Sequence, residues 1–147
     1  MKRNIYIVLI VSVIAALDQL TKYLIATRLS PFDSIEIFPF LHIVNVRNTG
    51  AAFGSFRGLG SNFFIIVSVI AIIFVVSLLL KRAYNTLGLS LVLGGAIGNL
   101  VDRIFYGNVV DFVDFSFGTF HWPAFNVADS ALTVGIFIIV LSSLLKK

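Results

Sequence analysis

The sequence predicts an all-α polytopic membrane protein: four spanning helices with a small extramembrane β cap in the outer loop. Three observations carry that expectation. Of 147 residues, 59% are apolar and only 12% are charged, about half the charge of an ordinary soluble domain. Mean hydropathy is +1.02. The apolar residues also gather into four long runs whose ends carry paired basic residues. So little charge cannot solvate a globule of this size, and lipid is the natural solvent.

The first run, Ile5 to Leu29, follows Lys2 and Arg3 and begins like a secretory leader. No small-x-small cleavage pattern follows it. Instead Asp18-Gln19-Leu20-Thr21-Lys22 interrupts the run, which resumes at Tyr23-Leu24-Ile25-Ala26. Read through, it is long enough to span and is expected to be retained. The outer loop 30–62 follows. Ile35, Ile37, Leu41 and Ile43 recur there at strand period, punctuated by Pro31 and Pro39, so short strands are expected. The stretch from Phe53 to Gly60, with Phe53, Phe56 and Arg57, reads as a segment lying on the membrane surface.

Phe63 to Leu80 is an uninterrupted apolar run whose only polar members are Ser68 and Ser77, and it stops at Lys81-Arg82. The third span, Leu87 to Phe105, carries Gly88, Gly94, Gly95 and Gly98, small residues that let helices approach closely. After a second outer loop, 106–124, the fourth span runs from Phe125 to Leu145 and ends at Lys146-Lys147. The chain is expected to be one domain over 1–147. Four spans put both termini on one side, together with Lys2, Arg3, Lys81, Arg82, Lys146 and Lys147. That excess predicts cytoplasmic termini and outward-facing loops 30–62 and 106–124.

An ionisable residue inside a span is costly unless paired or hydrated. At ~1.5 Å per residue, Asp18 lies ~20 Å from the inner end of its helix, and Asn99 and Arg103 lie ~18 and ~24 Å along theirs. Asp129 lies ~24 Å from the inner end of the fourth. Three helices thus place polar residues in one outer layer, to which the second span adds none. A shared depth suits a single site, whereas a pump would string its relay across the whole membrane. Asp18/Lys22, Asn99/Arg103 and Asn126/Asp129 each share a helix face. Asp18/Lys22 reads equally as an ion pair that makes two buried charges tolerable, and Asn99/Arg103 as helix packing or substrate contact.

The inventory narrows the chemistry. With no cysteine there is no thiol nucleophile or thiolate metal site. The net charge of +4 is dispersed in pairs rather than a stripe, which excludes a nucleic-acid footprint. His42 and His121, both in outer loops, form no HExxH pattern. No serine stands in a segment matching Lys22, and no Gly-rich phosphate loop occurs. Carboxylates remain. Asp111 and Asp114 lie within Val109-Val110-Asp111-Phe112-Val113-Asp114-Phe115, where apolar flanks raise a carboxyl pKa. Two such groups close together can share one proton and supply an acid and a base for attack of water on an amide. Intramembrane carboxylates serve proton or ion transport as well, so a small carrier and a non-enzymatic scaffold stand as alternatives.

Five segments then carry a resemblance across nearly the whole chain: Asp18-Gln19-Leu20-Thr21-Lys22, Asn48-Thr49-Gly50-Ala51-Ala52-Phe53, Gly98-Asn99-Leu100-Val101-Asp102-Arg103, Val110-Asp111-Phe112 and Phe125-Asn126-Val127-Ala128-Asp129. In this order, between four spans, the chain resembles the bacterial lipoprotein signal peptidase (signal peptidase II) family. The resemblance implies an aspartic endopeptidase of the bacterial inner membrane, with an outward-facing site and a β-cradle cap. It implies cleavage of prolipoproteins before a diacylglyceryl-modified cysteine; no metal or organic cofactor is expected, and the expected working form is a monomer in membrane lipid. Asp111 and Asp129 would be the catalytic pair. Asp18, Lys22, Asn48, Asn99, Asp102, Arg103 and Asn126 would line or brace the site. The spacing itself, one turn, also leads one to expect Asn126 to hold the Asp129 carboxylate by a hydrogen bond. Asp114 matches no catalytic position and is expected to be a solvated loop residue. Trp122 stands where another aromatic is common in the family, a departure that touches nothing catalytic.

Overall fold

The structure, a computed structural model, describes residues 2–31, 33–50 and 60–145. Within them lie four helices long and apolar enough to cross a membrane: α1 (Lys2–Arg28), α2 (Gly60–Lys81), α3 (Thr86–Tyr106) and α4 (Val127–Leu144). Four strands complete the described residues: β1 (Ser34–Phe38), β2 (Leu41–Asn48), β3 (Val109–Phe117) and β4 (Phe120–His121). The four expected spans are present, with ends shifted by up to three residues. The chain is a multi-pass membrane protein.

Helix α3 is the centre of the bundle and packs on α1, α2 and α4. Its sequence explains why. It is less apolar than α2 and keeps its glycines on buried positions, Gly88, Gly94, Gly95 and Gly98. At the Gly88/Gly135 crossing the helices α3 and α4 nearly touch: a Cβ on Gly135 would lie 2.7 Å from the Gly88 carbonyl oxygen. Both ends of α3 are locally encoded. Asn85 caps its start by accepting the Gly88 N–H at 3.1 Å. Gly107 ends it in the left-handed region at φ 70°, where a side chain would be strained. At the end carrying the termini, Val75, Leu79, Leu89 and Leu93 form a buried apolar cluster, and Arg3 ties α1 to α2 by donating to the Leu79 carbonyl at 3.0 Å.

The strands form one antiparallel sheet in the order β1-β2-β3-β4. The cap is therefore broader than the sequence suggested. Strands β1 and β2 come from the first outer loop as expected, but β3 and β4 come from 106–124, which reads as loop. Val109-Val110-Asp111-Phe112 offers little alternation because β3 is covered on both faces, and a doubly buried strand loses its period-two signature. The proposed surface segment falls outside the described residues from Phe53 to Leu59. Gly60, its last member, opens α2.

Candidate active site

The start of α4 is built from Asn126 and Asp129. Asn126 is extended; its Oδ1 accepts the Asp129 N–H at 2.9 Å, while Asp129 Oδ2 accepts the Asn126 N–H at 3.3 Å. This capping box fixes Asp129 in the first turn. The Asn126 amide nitrogen is left pointing away from the helix, and it donates to Asp111 Oδ1 at 2.7 Å, to the Val110 carbonyl at 3.3 Å and to Asn99 Oδ1 at 3.3 Å. The expectation that the Asn126 side chain holds the Asp129 carboxylate is corrected accordingly. Its oxygen is used by the cap, so its donor end serves Asp111 instead.

Asp111 sits on β3 between Val110 and Phe112 and is 2% exposed. Its other oxygen accepts from Asn48 Nδ2 at 2.9 Å, and Asn48 Oδ1 accepts the Gly50 N–H at 2.9 Å. Burial pushes the Asp111 carboxyl up to about 6; the charge of Asp129 acts in the same direction, and the hydrogen bonds from Asn48 and Asn126 oppose it. Asp114 cannot share a proton with Asp111, because residues three apart on a strand face opposite ways. Nor is Asp114 solvated: it is buried, with Oδ2 2.9 Å from His121 Nδ1. It lies on a strand paired on both sides rather than in a loop, which is why the sequence expectation failed.

From α3, Asn99 donates through Nδ2 to Asp129 Oδ1 at 2.8 Å. Arg103, one turn on, donates to the Asn99 carbonyl at 3.2 Å and to the Gly50 carbonyl at 3.3 Å. Its guanidinium lies 5.7 Å from the Phe64 ring centroid, a cation–π distance. Among the described residues Arg103 forms no ion pair with either aspartate, yet its charge interacts with both. Helix α2 thus touches this polar layer through an apolar ring, Phe64, a residue that hydropathy alone assigns to lipid.

Behind Asn99 lies a knot of buried charge. Lys22 Nζ is 2.7 Å from Asp18 Oδ2, 3.0 Å from Asp102 Oδ2, and donates to Asn99 Oδ1 at 2.8 Å. Asp18 Oδ1 in turn accepts the Ala128 N–H at 2.9 Å, one of the donors that the first turn of a helix leaves without an internal partner. Gly98 makes the room, since a Cβ there would lie 2.5 Å from Asp18 Oδ2. Asp18/Lys22 is thus part of a three-charge cluster joined to the site, not an isolated pair. Gln19, absent from the expected site residues, donates to Asp102 Oδ1 at 2.9 Å and to the Gly98 carbonyl at 3.1 Å. A primary amide inside an apolar span needs partners as a charge does, and that was the signal available in the sequence.

Asp111 and Asp129 line one cavity of about 570 Å³, with Asn48, Asn99 and Arg103 on the polar side. Val109, Pro123, Phe125, Leu132 and Val134 make the apolar side. Asp18, Lys22, Asp102 and Asn126 do not line it. Lys22 and Asp102 face a second cavity of about 300 Å³ beside Tyr23, Arg47 and Tyr106, while Asp18 and Asn126 are fully enclosed.

Comparison with known proteins agrees with this architecture. The chain is 47% identical over 133 residues to a lipoprotein signal peptidase of Thermodesulfovibrio yellowstonii, covering 90% of each chain. It is 42% identical over 139 residues to that of Serratia marcescens, covering 91% of this chain and 82% of the relative. Two solved bacterial membrane enzymes, each 40% identical, superpose with TM-scores of 0.87 and 0.84, covering 96% and 95% of this chain and 88% and 92% of theirs. The family model of signal peptidase (SPase) II matches residues 10–145, and with the relatives it establishes that this chain belongs to the signal peptidase II family.

Proposed function

We propose that the protein is an aspartic endopeptidase that removes signal peptides from diacylglyceryl-modified bacterial prolipoproteins, cleaving before the lipidated cysteine. The observation that carries this reading is the meeting of Asp111 and Asp129, from a cap strand and a helix start, on one largely apolar cavity at the cap end of the bundle. An extended apolar peptide fits such a cavity, and two carboxylates are the acid and base that amide hydrolysis needs.

Asp111 is the buried partner whose carboxyl is pushed up to about 6, and we assign it the proton. Asp129 is the partly exposed partner and acts as base. Water gives a proton to Asp129 as its oxygen attacks the scissile carbonyl carbon, while Asp111 protonates the carbonyl oxygen. The tetrahedral carbon then expels the cysteine nitrogen, which takes the proton from Asp129. Asp111 regains its proton as the new carboxyl forms. Arg103 faces the same cavity and balances the negative charge of the pair. Basic residues paired at one end of the bundle support cytoplasmic termini, an inner-membrane location and an outward-facing site. Asp111, Asp129 and the asparagines that hold them all belong to the same chain, which supports action as a monomer.

The test is incubation of purified protein with a diacylated prolipoprotein, followed by mass measurement of both products. The expected pair is the released signal peptide and a chain beginning at the lipidated cysteine, formed equally with and without a chelator. Absence of cleavage, cleavage elsewhere, or loss with chelator and rescue by zinc would sink the reading.

A further inference from the structure

Among the described residues, three side-chain amides touch the two aspartates, and each must present its nitrogen to a carboxylate. Two are oriented by main-chain groups, whose polarity cannot change. Asn48 accepts the Gly50 N–H. Asn126 accepts the Asp129 N–H and donates to the Val110 carbonyl. Asn99 differs: among the described residues, no hydrogen bond from a main-chain group to its amide sets which end faces Asp129. Its Nδ2 donates to Asp129 Oδ1 at 2.8 Å, while its Oδ1 accepts from Lys22 Nζ at 2.8 Å and, at a longer 3.3 Å, from the Asn126 nitrogen. An ammonium has three donors and no acceptor, so the end of Asn99 facing it has to be oxygen. The longer contact is a weaker constraint, because the Asn126 nitrogen also serves Asp111 and Val110.

We infer that Lys22 is a positioning residue for the reaction: it fixes the orientation of the Asn99 amide, so that a hydrogen-bond donor and not an acceptor faces the Asp129 carboxylate. The inference rests on the reading of Asp129 as the base. It gives the buried knot a purpose beyond mutual neutralisation. Asp18 and Asp102 clamp the ammonium at 2.7 and 3.0 Å, Gln19 steadies Asp102, and Lys22 itself is 3% exposed and does not line the cavity. Among the described residues, the charged groups around Asp129 are Lys22 on α1 (through Asn99), Arg103 on α3 and Asp111 on β3, with Asp18 and Asp102 acting through Lys22. If Asn99 turned over, its oxygen would oppose an ionised Asp129 and its NH2 would oppose the ammonium, two like-poled contacts at hydrogen-bond distance.

Asn99→Asp separates this role from a merely structural one. The substitution is nearly isosteric and keeps, even strengthens, the contact with Lys22, but it puts an acceptor against Asp129. With a diacylated prolipoprotein as substrate, kcat should fall about 100-fold, the usual cost of one aimed donor. KM should stay within about threefold, since the cavity wall is otherwise unchanged. Lys22→Met should lose kcat to a similar degree, and Lys22→Met with Asn99→Ala should be no worse than the poorer single variant, because both act through one hydrogen bond. Asn99→Asp turnover within about threefold of the parent would overturn the inference, as would losses that multiply in the double variant. If Lys22→Met does not accumulate, the Asn99→Asp result decides alone. Failure of the parent itself to cleave refutes the proposed function instead.

Discussion

The two ends of this bundle are held together by different physics. At the end carrying the termini, the buried cluster of Val75, Leu79, Leu89 and Leu93 is apolar, and α3 meets α4 through Gly88 and Gly135 at near-contact distance. At the cap end, Val109, Val110 and Phe112 are buried too, but beside them lie the buried polar side chains of Asp18, Lys22, Asn99, Asp102, Asp111 and Asn126, joined by hydrogen bonds mostly between 2.7 and 3.0 Å. In lipid, apolar side chains gain nothing by leaving the solvent, so the first end depends on close fit. At the second end every unmade polar contact is costly, and that cost holds donors and acceptors in fixed directions. A rigid set of donors is also what stabilises charge during a reaction. The contrast teaches that stability and chemistry are separated along the same helices.

The largest expected effect tests the cap end. Asp111→Asn and Asp129→Asn should each reduce turnover by about 10⁴-fold or more, with the protein still accumulating in the membrane. Because the pair acts as a unit, the double variant should be hardly worse than either single one. Asp114→Asn, whose partner His121 is exposed, should stay within about threefold. Substantial activity in either Asp111→Asn or Asp129→Asn removes that residue from the pair.

A middle-sized effect tests the packed end. Gly135→Ala would bring a Cβ to 2.7 Å from the Gly88 carbonyl oxygen and 3.0 Å from the Val92 nitrogen, main-chain atoms that cannot turn aside. It should cost about 1–3 kcal/mol of stability, read as a lower midpoint of thermal unfolding in detergent. Turnover per folded molecule should change little. A lowered kcat with an unchanged midpoint would break the division between the two ends.

The smallest effect sharpens the assignment of the proton. The proposed mechanism needs Asp111 protonated in the free enzyme, and its carboxyl is pushed up to about 6. Accordingly kcat/KM should decline as pH rises through about 6, the direction in which an acid is lost. Asn48 lowers that value by its hydrogen bond. Asn48→Ala should therefore move the decline to higher pH while reducing the maximum rate. A decline displaced to lower pH, or a profile flat from 5 to 8, would contradict Asp111 as the acid.

Much of this was legible in the chain itself. The four spans follow from run length, and the outer layer of Asp18, Asn99, Arg103 and Asp129 from residue counting along helices of known rise. Both rest on local geometry, which a sequence carries directly. Strand β3 was not legible, because burial on both faces erased its alternation. The fate of Asp114 followed from that miss.

Other features were decided by contacts between distant segments. Sequence gives three asparagines beside two aspartates, yet not which carboxylate each amide serves. Asn126 turns to Asp111 because the cap of α4 takes its oxygen. Phe64 joins the site because α2 packs on α3 where Arg103 emerges. The Lys22–Asn99–Asp129 chain exists only where three helices meet. Residue type sets what a group can donate or accept. Only packing sets what stands opposite it, and the direction of each hydrogen bond at this site depends on both.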